Sequence, residues 1–256
     1  MFTIDEIKEY FNNLPIEYEG YDSDYKFIIN NIEHNIPFAF SRFNDGEMLG
    51  IDKPDSVVSR GAQLVDSSLQ NALKKSITHK QENYYIGIPC PNCYPEYHKL
   101  ANELIGEYDY KVRAVCNINR NYSKFINEFI TSLKNKNIIW VGGDDQNVNN
   151  LTYVLDLKIE KSFLFSKKNA WEKHKKIQDS LSEIKKYDIV LFSLGPTGRI
   201  LSQELFKSHP YNTFIDIGSL LDPITRNVWH NFLLLDMNIQ IFLLYLLKLD
   251  KYSFFS

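Results

Sequence analysis

Asp188-Ile189-Val190-Leu191-Phe192-Ser193-Leu194-Gly195-Pro196-Thr197-Gly198-Arg199-Ile200-Leu201 is the stretch whose reading decides the fold. Ile189–Leu194 is a nearly unbroken apolar run, the pattern of a strand buried on both faces. A Gly-Pro-Thr-Gly turn follows, and helical sequence continues over Gly198–Ser208. Strand, turn and helix in that order are the unit of a parallel α/β sheet. The first-turn N–H groups of such a helix are free, and together with the helix dipole they favour an anion. Arg199 sits in or near that turn, where a cation opposes the dipole. Either a bound anion such as a diphosphate compensates it, or Gly195 and Gly198 only permit a tight turn and Arg199 points to solvent.

Working outward, the same alternation runs through most of the chain. Strands are expected at Phe38–Ser41, Tyr84–Ile88, Val112–Cys116, Asn137–Val141, Phe163–Phe165, Ile189–Leu194 and Thr213–Ile217. Helices are expected at Ser67–Ile77, Tyr97–Ile105, Tyr122–Leu133, Ala170–Lys185 and Gly198–Ser208. In the fourth of these Ile177, Leu181 and Ile184 recur at helical spacing while Lys and Glu fill the other face. The expectation is a Rossmann-like α/β fold, a largely parallel sheet with helices on both faces. No linker, repeat or low-complexity tract divides the chain, so residues 1–256 read as one domain.

Composition narrows the function. The 256 residues are 44% hydrophobic and 24% charged, with a net charge of −3. A slightly acidic chain argues against an electrostatically bound nucleic-acid partner. The N-terminus lacks the basic and long apolar regions of a signal peptide. Three cysteines give no disulfide framework and fit a reducing compartment. The longest apolar stretch, Ile239–Leu249, is too short to span a bilayer, so no transmembrane segment is expected. A cytoplasmic protein is the expectation.

Phe40-Ser41-Arg42-Phe43-Asn44-Asp45-Gly46-Glu47 follows the first strand and carries the most chemistry. Asp45 and Glu47 flank a glycine that allows a tight bend, so both carboxylates can converge on one hard divalent cation. Arg42, on the same loop, suits a phosphate oxygen. Asp-Gly is equally an ordinary turn dipeptide. After the strand at Asn137, Gly142 and Gly143 either admit a ribose or base close to the backbone or form a plain turn with Asp144 and Asp145. Asp216, alone in an apolar strand, must be paired, hydrogen-bonded or functional. Cys90-Pro91-Asn92-Cys93, with His98 beyond, is half a zinc site at best and reads better as a turn.

Taken in order, these segments resemble the GT-D fold glycosyltransferases, a bacterial domain family formerly of unknown function. The family's Arg-Phe/Tyr-Gly-Asp-Gly-Glu motif corresponds to Arg42-Phe43-Asn44-Asp45-Gly46-Glu47. Its Asn-Ala-Phe-like segment corresponds to Asn169-Ala170-Trp171, its Leu-Gly-Pro-Thr-Ala-like turn to Leu194-Gly195-Pro196-Thr197-Gly198, and its Ala-Ile-Asp-Ile-Gly-His segment to Phe214–Ser219. The resemblance covers about residues 36–230. Two positions depart from the pattern. Asn44 replaces a Gly, which a turn tolerates because Asn accepts left-handed backbone angles, and Ser219 replaces a His, which puts that residue's role in doubt.

The resemblance implies a glycosyltransferase that moves a sugar from a nucleotide-sugar, a UDP-sugar, to a hydroxyl of a glycan or glycoconjugate. It implies Asp45 and Glu47 as ligands of Mn²⁺ or Mg²⁺, and Asp45, Glu47 and Asp216 as catalytic residues. Arg42, Phe43, Gly142, Gly143, Gly195, Pro196, Thr197 and Arg199 are the expected nucleotide-sugar contacts. The alternatives are a non-catalytic sugar-nucleotide-binding or assembly module and another Rossmann-like transferase such as a methyltransferase. The latter is disfavoured because the first strand leads into Arg and Asp-x-Glu rather than a glycine-rich cofactor loop. Residues 232–249 would form a helix apolar nearly all round, expected to pack in the core or against a second copy in a homodimer.

Overall fold

The computed structural model describes residues 23–58, 63–112, 122–166 and 168–226. Its centre is a seven-stranded sheet in which every neighbouring pair is parallel. The strands are β1 (Ala39–Arg42), β4 (Tyr84–Gly87), β5 (Lys111–Val112), β6 (Ile138–Gly143), β7 (Ile159–Phe165), β8 (Ile189–Ser193) and β9 (Thr213–Asp216). A two-stranded antiparallel hairpin, β2 (Val57–Val58) with β3 (Gln63–Leu64), stands apart from it. The sheet order is β5-β4-β1-β9-β8-β6-β7.

The helices are α1 (Ser23–Glu33), α2 (Asp45–Asp52), α3 (Ser67–Thr78), α4 (Pro95–Ile105), α5 (Tyr122–Leu133), α6 (Asn149–Leu155), α7 (His174–Ser180), α8 (Pro196–Ser208) and α9 (Asp222–Thr225). They divide between the two faces of the sheet. Successive residues of a strand point to opposite faces, and β8 shows the consequence. Ile189 and Leu191 enter one core with residues of α1, α5, α6 and α9. Val190 and Phe192 enter the other with residues of α2, α3, α4, α7 and α8. The expected α/β architecture is the one observed.

Some elements differ in extent, for local reasons. The helix expected over Ala170–Lys185 is a 3-10 turn, Ala170–Lys173, followed by α7, which ends at Ser180. Ser180 Oγ donates to the Lys176 carbonyl at 2.9 Å and Ser182 Oγ to the Asp179 carbonyl at 2.7 Å. Such bonds offer the backbone an alternative to further helix. Ile177 and Leu181 are buried as their spacing requires. Strand β7 begins four residues before the expected Phe163 because it is the sheet's outer strand, where Glu160, Lys161 and Ser162 stay exposed. Of the expected strand Val112–Cys116, only Val112 is among the described residues. Residues 232–249 lie outside them. Among the described residues no helix is long and apolar enough to cross a membrane.

Candidate functional site

Parallel strands all deliver their following loops to one edge of the sheet, so residues at the carboxyl ends of β1, β8 and β9 meet there. Arg42 ends β1, Asp216 ends β9, and Arg199 lies in the first turns of α8, which follows β8. Arg199 Nε donates to the Arg42 carbonyl at 2.5 Å and lies 3.3 Å from both Asp216 Oδ2 and Glu47 Oε1. Arg42 Nη1 donates to the Ile217 carbonyl at 2.9 Å. Asp216 accepts from the Arg42 and Gly218 N–H groups at 3.3 and 3.1 Å. A Cβ at Gly218 would stand 3.9 Å from both Arg42 Nη1 and Arg199 Nη2, so the two guanidinium groups converge on that residue.

All four charged side chains are buried: Arg42, Glu47, Arg199 and Asp216. Burying charges is costly unless they pair, and two cations here face two carboxylates. Burial pushes the Arg42 pKa down, and Asp216 opposes the shift. Burial pushes the Glu47 carboxyl up, with Arg199 acting against it. Pairing is nevertheless incomplete. Arg42 Nε, Arg199 Nη1 and the Thr197 hydroxyl are buried without a hydrogen-bond partner. Unmet donors beside the amino end of a 13-residue helix are what an anion would satisfy. Gly195 precedes that helix at φ +58°, a backbone angle that favours glycine, and Pro196 takes its first position. Arg199 does not point to solvent.

The Asp-x-Glu segment differs from the expected bend. Asp45, Gly46 and Glu47 form the first turn of α2, and Asn44 is its N-cap at φ −113°, outside the left-handed region. At that angle Asn44 makes no use of left-handed freedom, and its Oδ1 is buried with no hydrogen-bond partner. The Asn44 N–H donates to Glu47 Oε2 at 3.1 Å, a contact the Asn-x-x-Glu spacing encodes. Helical residues two apart do not face each other. Glu47 therefore turns inward to Arg199, while Asp45 remains half-exposed at the sheet edge. Glu47 is occupied by a guanidinium and a backbone N–H, so convergence of both carboxylates on one cation is not the observed arrangement. Asp45 does fit a hard cation that takes one carboxylate and completes its shell with phosphate oxygens. Among the described residues no group of three or more His, Cys, Asp or Glu could hold a metal.

Other expected contacts are placed differently. Phe43 is fully buried and fills the core below α2. A Cβ on Gly142 would meet Gln146 Oε1 at 1.9 Å and Trp140 Nε1 at 2.5 Å, and one on Gly143 would meet Asp145 and Arg226. The space these glycines leave is filled by the protein's own side chains rather than left for a ribose. Gln146, which no motif marks, accepts from Trp140 Nε1 and the Gly143 N–H at 3.2 and 2.9 Å and donates to Ser193 Oγ at 2.8 Å. It fixes β6 against β8. Asp216 is 0% exposed with both oxygens engaged. A proton acceptor must reach its substrate directly or through one water, so in this arrangement Asp216 orients the arginines. In the Asn169-Ala170-Trp171 segment, Trp171 Nε1 donates to Ser68 Oγ at 3.0 Å and its N–H to Gln63 Oε1 at 3.4 Å, tying it to α3 and β3. Cys90–Cys93 is a turn between β4 and α4.

A parallel sheet with its buried charged cluster at the carboxyl edge defines a Rossmann-like α/β protein. Comparison with known proteins refines this. The family model described as "Glycosyltransferase GT-D fold" matches residues 111–222. A structure described as "The highly conserved domain of unknown function 1792 has a distinct glycosyltransferase fold" is similar with a TM-score of 0.57 and 16% identity, over 75% of this chain and 76% of that one. "A New Glycosyltransferase (DUF1792) from Streptococcus sanguinis" is similar with a TM-score of 0.57 and 18% identity, over 75% of this chain and 80% of that one. A search of curated protein sequences returns no match. The chain shares the fold of these GT-D structures, and its residues 111–222 match the GT-D family model.

Proposed function

We propose that this protein is a glycosyltransferase that uses a nucleotide-sugar, a UDP-sugar, and transfers the sugar to a hydroxyl of a glycan or glycoconjugate. The observation that carries the reading is the convergence of Arg42 and Arg199 on Gly218 with unmet buried donors, at the carboxyl edge of a GT-D sheet. The donor diphosphate is the anion that these N–H groups and the first turn of α8 would receive. In transfer, the acceptor oxygen bonds the anomeric carbon and gives up its proton. The bond from that carbon to the diphosphate oxygen breaks, and its electron pair leaves with the nucleotide. Asp45 would hold a divalent cation, Mn²⁺ or Mg²⁺, whose charge offsets that of the leaving diphosphate. Glu47 and Asp216 keep the guanidinium groups in place while that charge develops.

Thermal denaturation with UDP and a panel of UDP-sugars, with and without Mn²⁺, tests the reading. A ligand that binds only the folded state raises the melting temperature. Stabilisation by UDP, larger with Mn²⁺, is the expected result, and no shift with any nucleotide overturns it. Ser219, in the position of the family's His, favours one other reading, a module that binds sugar nucleotides without turnover. Mn²⁺-dependent hydrolysis of a UDP-sugar separates an enzyme from such a module.

A further inference from the structure

Strands β1 and β4 are neighbours with Arg42 opposite Gly87, and the Phe43 N–H donates to the Gly87 carbonyl at 2.8 Å. The chain leaving β4 therefore runs beside the Arg42–Glu47 segment. Its turn is closed by the Cys93 and Tyr94 N–H groups, which donate to the Cys90 carbonyl at 3.2 and 2.9 Å. His98 Nδ1 lies 2.7 Å from the Pro89 carbonyl, and Pro95 opens α4. This framework sets two tyrosines side by side at the start of α4, with ring centroids 6.4 Å apart and planes at 33°. Tyr94 is 39% exposed, whereas Tyr97 is half-buried, its base packed against the core. Burial, then the charges of Asp52 and Asp45, push the Tyr97 hydroxyl pKa up, which places the ring in the electrostatic neighbourhood of Asp45. The first turn of α2 thus has two sides. Glu47 faces the arginines, whereas Asp45 stays half-exposed on the side away from them.

We infer that Tyr94 and Tyr97 form a platform for a pyranose ring of the acceptor glycan, beside Asp45 at the rim of the site. The inference rests on the transferase reading above. A pyranose presents a face of C–H groups that packs on an aromatic ring, while its hydroxyls reach phenols and carboxylates at the edge. Tyrosine offers that combination of apolar body and polar tip. The acceptor is assigned here because the unmet buried donors belong to Arg42, Thr197 and Arg199, whereas these rings stand at the start of α4.

Saturation-transfer NMR with methyl glucopyranoside and methyl N-acetylglucosaminide tests the inference on the intact chain. Irradiating the aromatic protons should transfer saturation to the sugar ring C–H protons. Tyr94→Ala, at an exposed position, should weaken this about fivefold, while Tyr94→Phe should retain it. Tyr97→Phe, which keeps the ring and its packing, should also retain the transfer. The UDP-induced thermal shift should be the same in Tyr94→Ala as in the wild type. No transfer in the wild type, or equal transfer in Tyr94→Ala, overturns the platform, and so does loss of the UDP shift in Tyr94→Ala. If UDP stabilises the protein but the glycosides give no transfer, the platform fails and the transferase reading stands. If the glycosides contact Tyr94 but no nucleotide stabilises the fold, the platform stands and the transferase reading fails.

Discussion

Ser41 Oγ donates to the Arg199 carbonyl at 2.8 Å, so β1 holds the first turns of α8 although β9 lies between β1 and β8. Both groups are buried. The bond fixes Arg199 relative to the backbone of Arg42, the two cations proposed to meet the donor. Ser41→Ala removes it without changing the charge of the cluster. A buried hydrogen bond of this kind is worth about 1 kcal/mol, which lowers the melting temperature of a chain this size by roughly 2–4 °C. UDP affinity, measured by titration calorimetry, should fall more than stability does, because the loss lands on the site's alignment. Unchanged UDP affinity in a variant that melts lower would assign Ser41 to packing alone.

Asp45 and Glu47, though two residues apart in one motif, should respond differently to substitution. Asp45→Asn touches a half-exposed side chain and should leave the unfolding free energy of the unliganded protein within about 0.5 kcal/mol of wild type. It should abolish the extra stabilisation that Mn²⁺ gives to the UDP complex. Glu47→Ala leaves Arg199 with one carboxylate fewer in a buried setting, and breaking such a pair costs about 3–5 kcal/mol. Urea unfolding of both variants, alongside thermal shifts with UDP and Mn²⁺, reads the two effects separately. Equal destabilisation by both would contradict the inward and outward placement.

Stability should fall in strong base through tyrosine. Tyr108 is pushed up to about 12, chiefly by burial, and Tyr84 is pushed up as well. Tyr108 donates to the Gln81 and Tyr84 carbonyls at 2.7 and 2.6 Å. In the unfolded chain tyrosine titrates near 10. The folded pKa lies above the unfolded one, so the contribution is whole below about pH 10 and is lost as pH rises through 12. Urea midpoints measured between pH 9 and 12 should fall, and Tyr108→Phe should flatten the slope. A slope unaltered in that variant would remove Tyr108 as its source.

Residues 232–249 lie outside the described part of the chain, and a homodimer through them is the expectation. If helical, Phe232–Leu235 and Ile241–Leu247 would carry large apolar side chains nearly all round. Each favours leaving water by roughly 1.5–3 kcal/mol when fully buried. Light scattering at micromolar concentration should give twice the chain mass of 30.0 kDa. Leu243→Glu with Leu246→Glu should return the chain to a monomer. A monomer in the unaltered protein ends the idea.

The sheet was legible because its central strands are buried on both faces, and β6, β8 and β9 are therefore runs of Ile, Val, Leu and Phe. The hairpin β2–β3 was not, since two-residue strands carry no period. Helix α6, Asn-Asn-Leu-Thr-Tyr-Val-Leu, was missed because asparagine and threonine read as loop until Leu151, Val154 and Leu155 are seen buried. The motif at Arg42 is visible in the sequence, but its geometry is not the expected bend. Asp-Gly suggested a bend, whereas Asn44 and Glu47 three residues apart announced a helix start. Arg199 near a helix amino end suggests a bound anion or exposure to solvent, whereas Glu47 and Asp216 pair with it from 152 positions before and 17 after. Such distances leave no mark in local pattern. The Gln146–Ser193 bond is of the same kind, defined by where the chain returns.

The placement of β9 has a further consequence for how the molecule comes into being. It is the last described strand of the main sheet, yet it seats in the middle, pairing with β1 on one side and β8 on the other. Arg42 and Asp216 are 174 residues apart, and closing loops of that length is slow and entropically costly. Until the ninth strand docks, Asp216 is missing from the cluster and Glu47 is the carboxylate left beside Arg199. On the proposed reading, recognition of the donor is coupled to completion of the sheet. A nascent or partly unfolded chain has no weak version of the site, only separate halves of it.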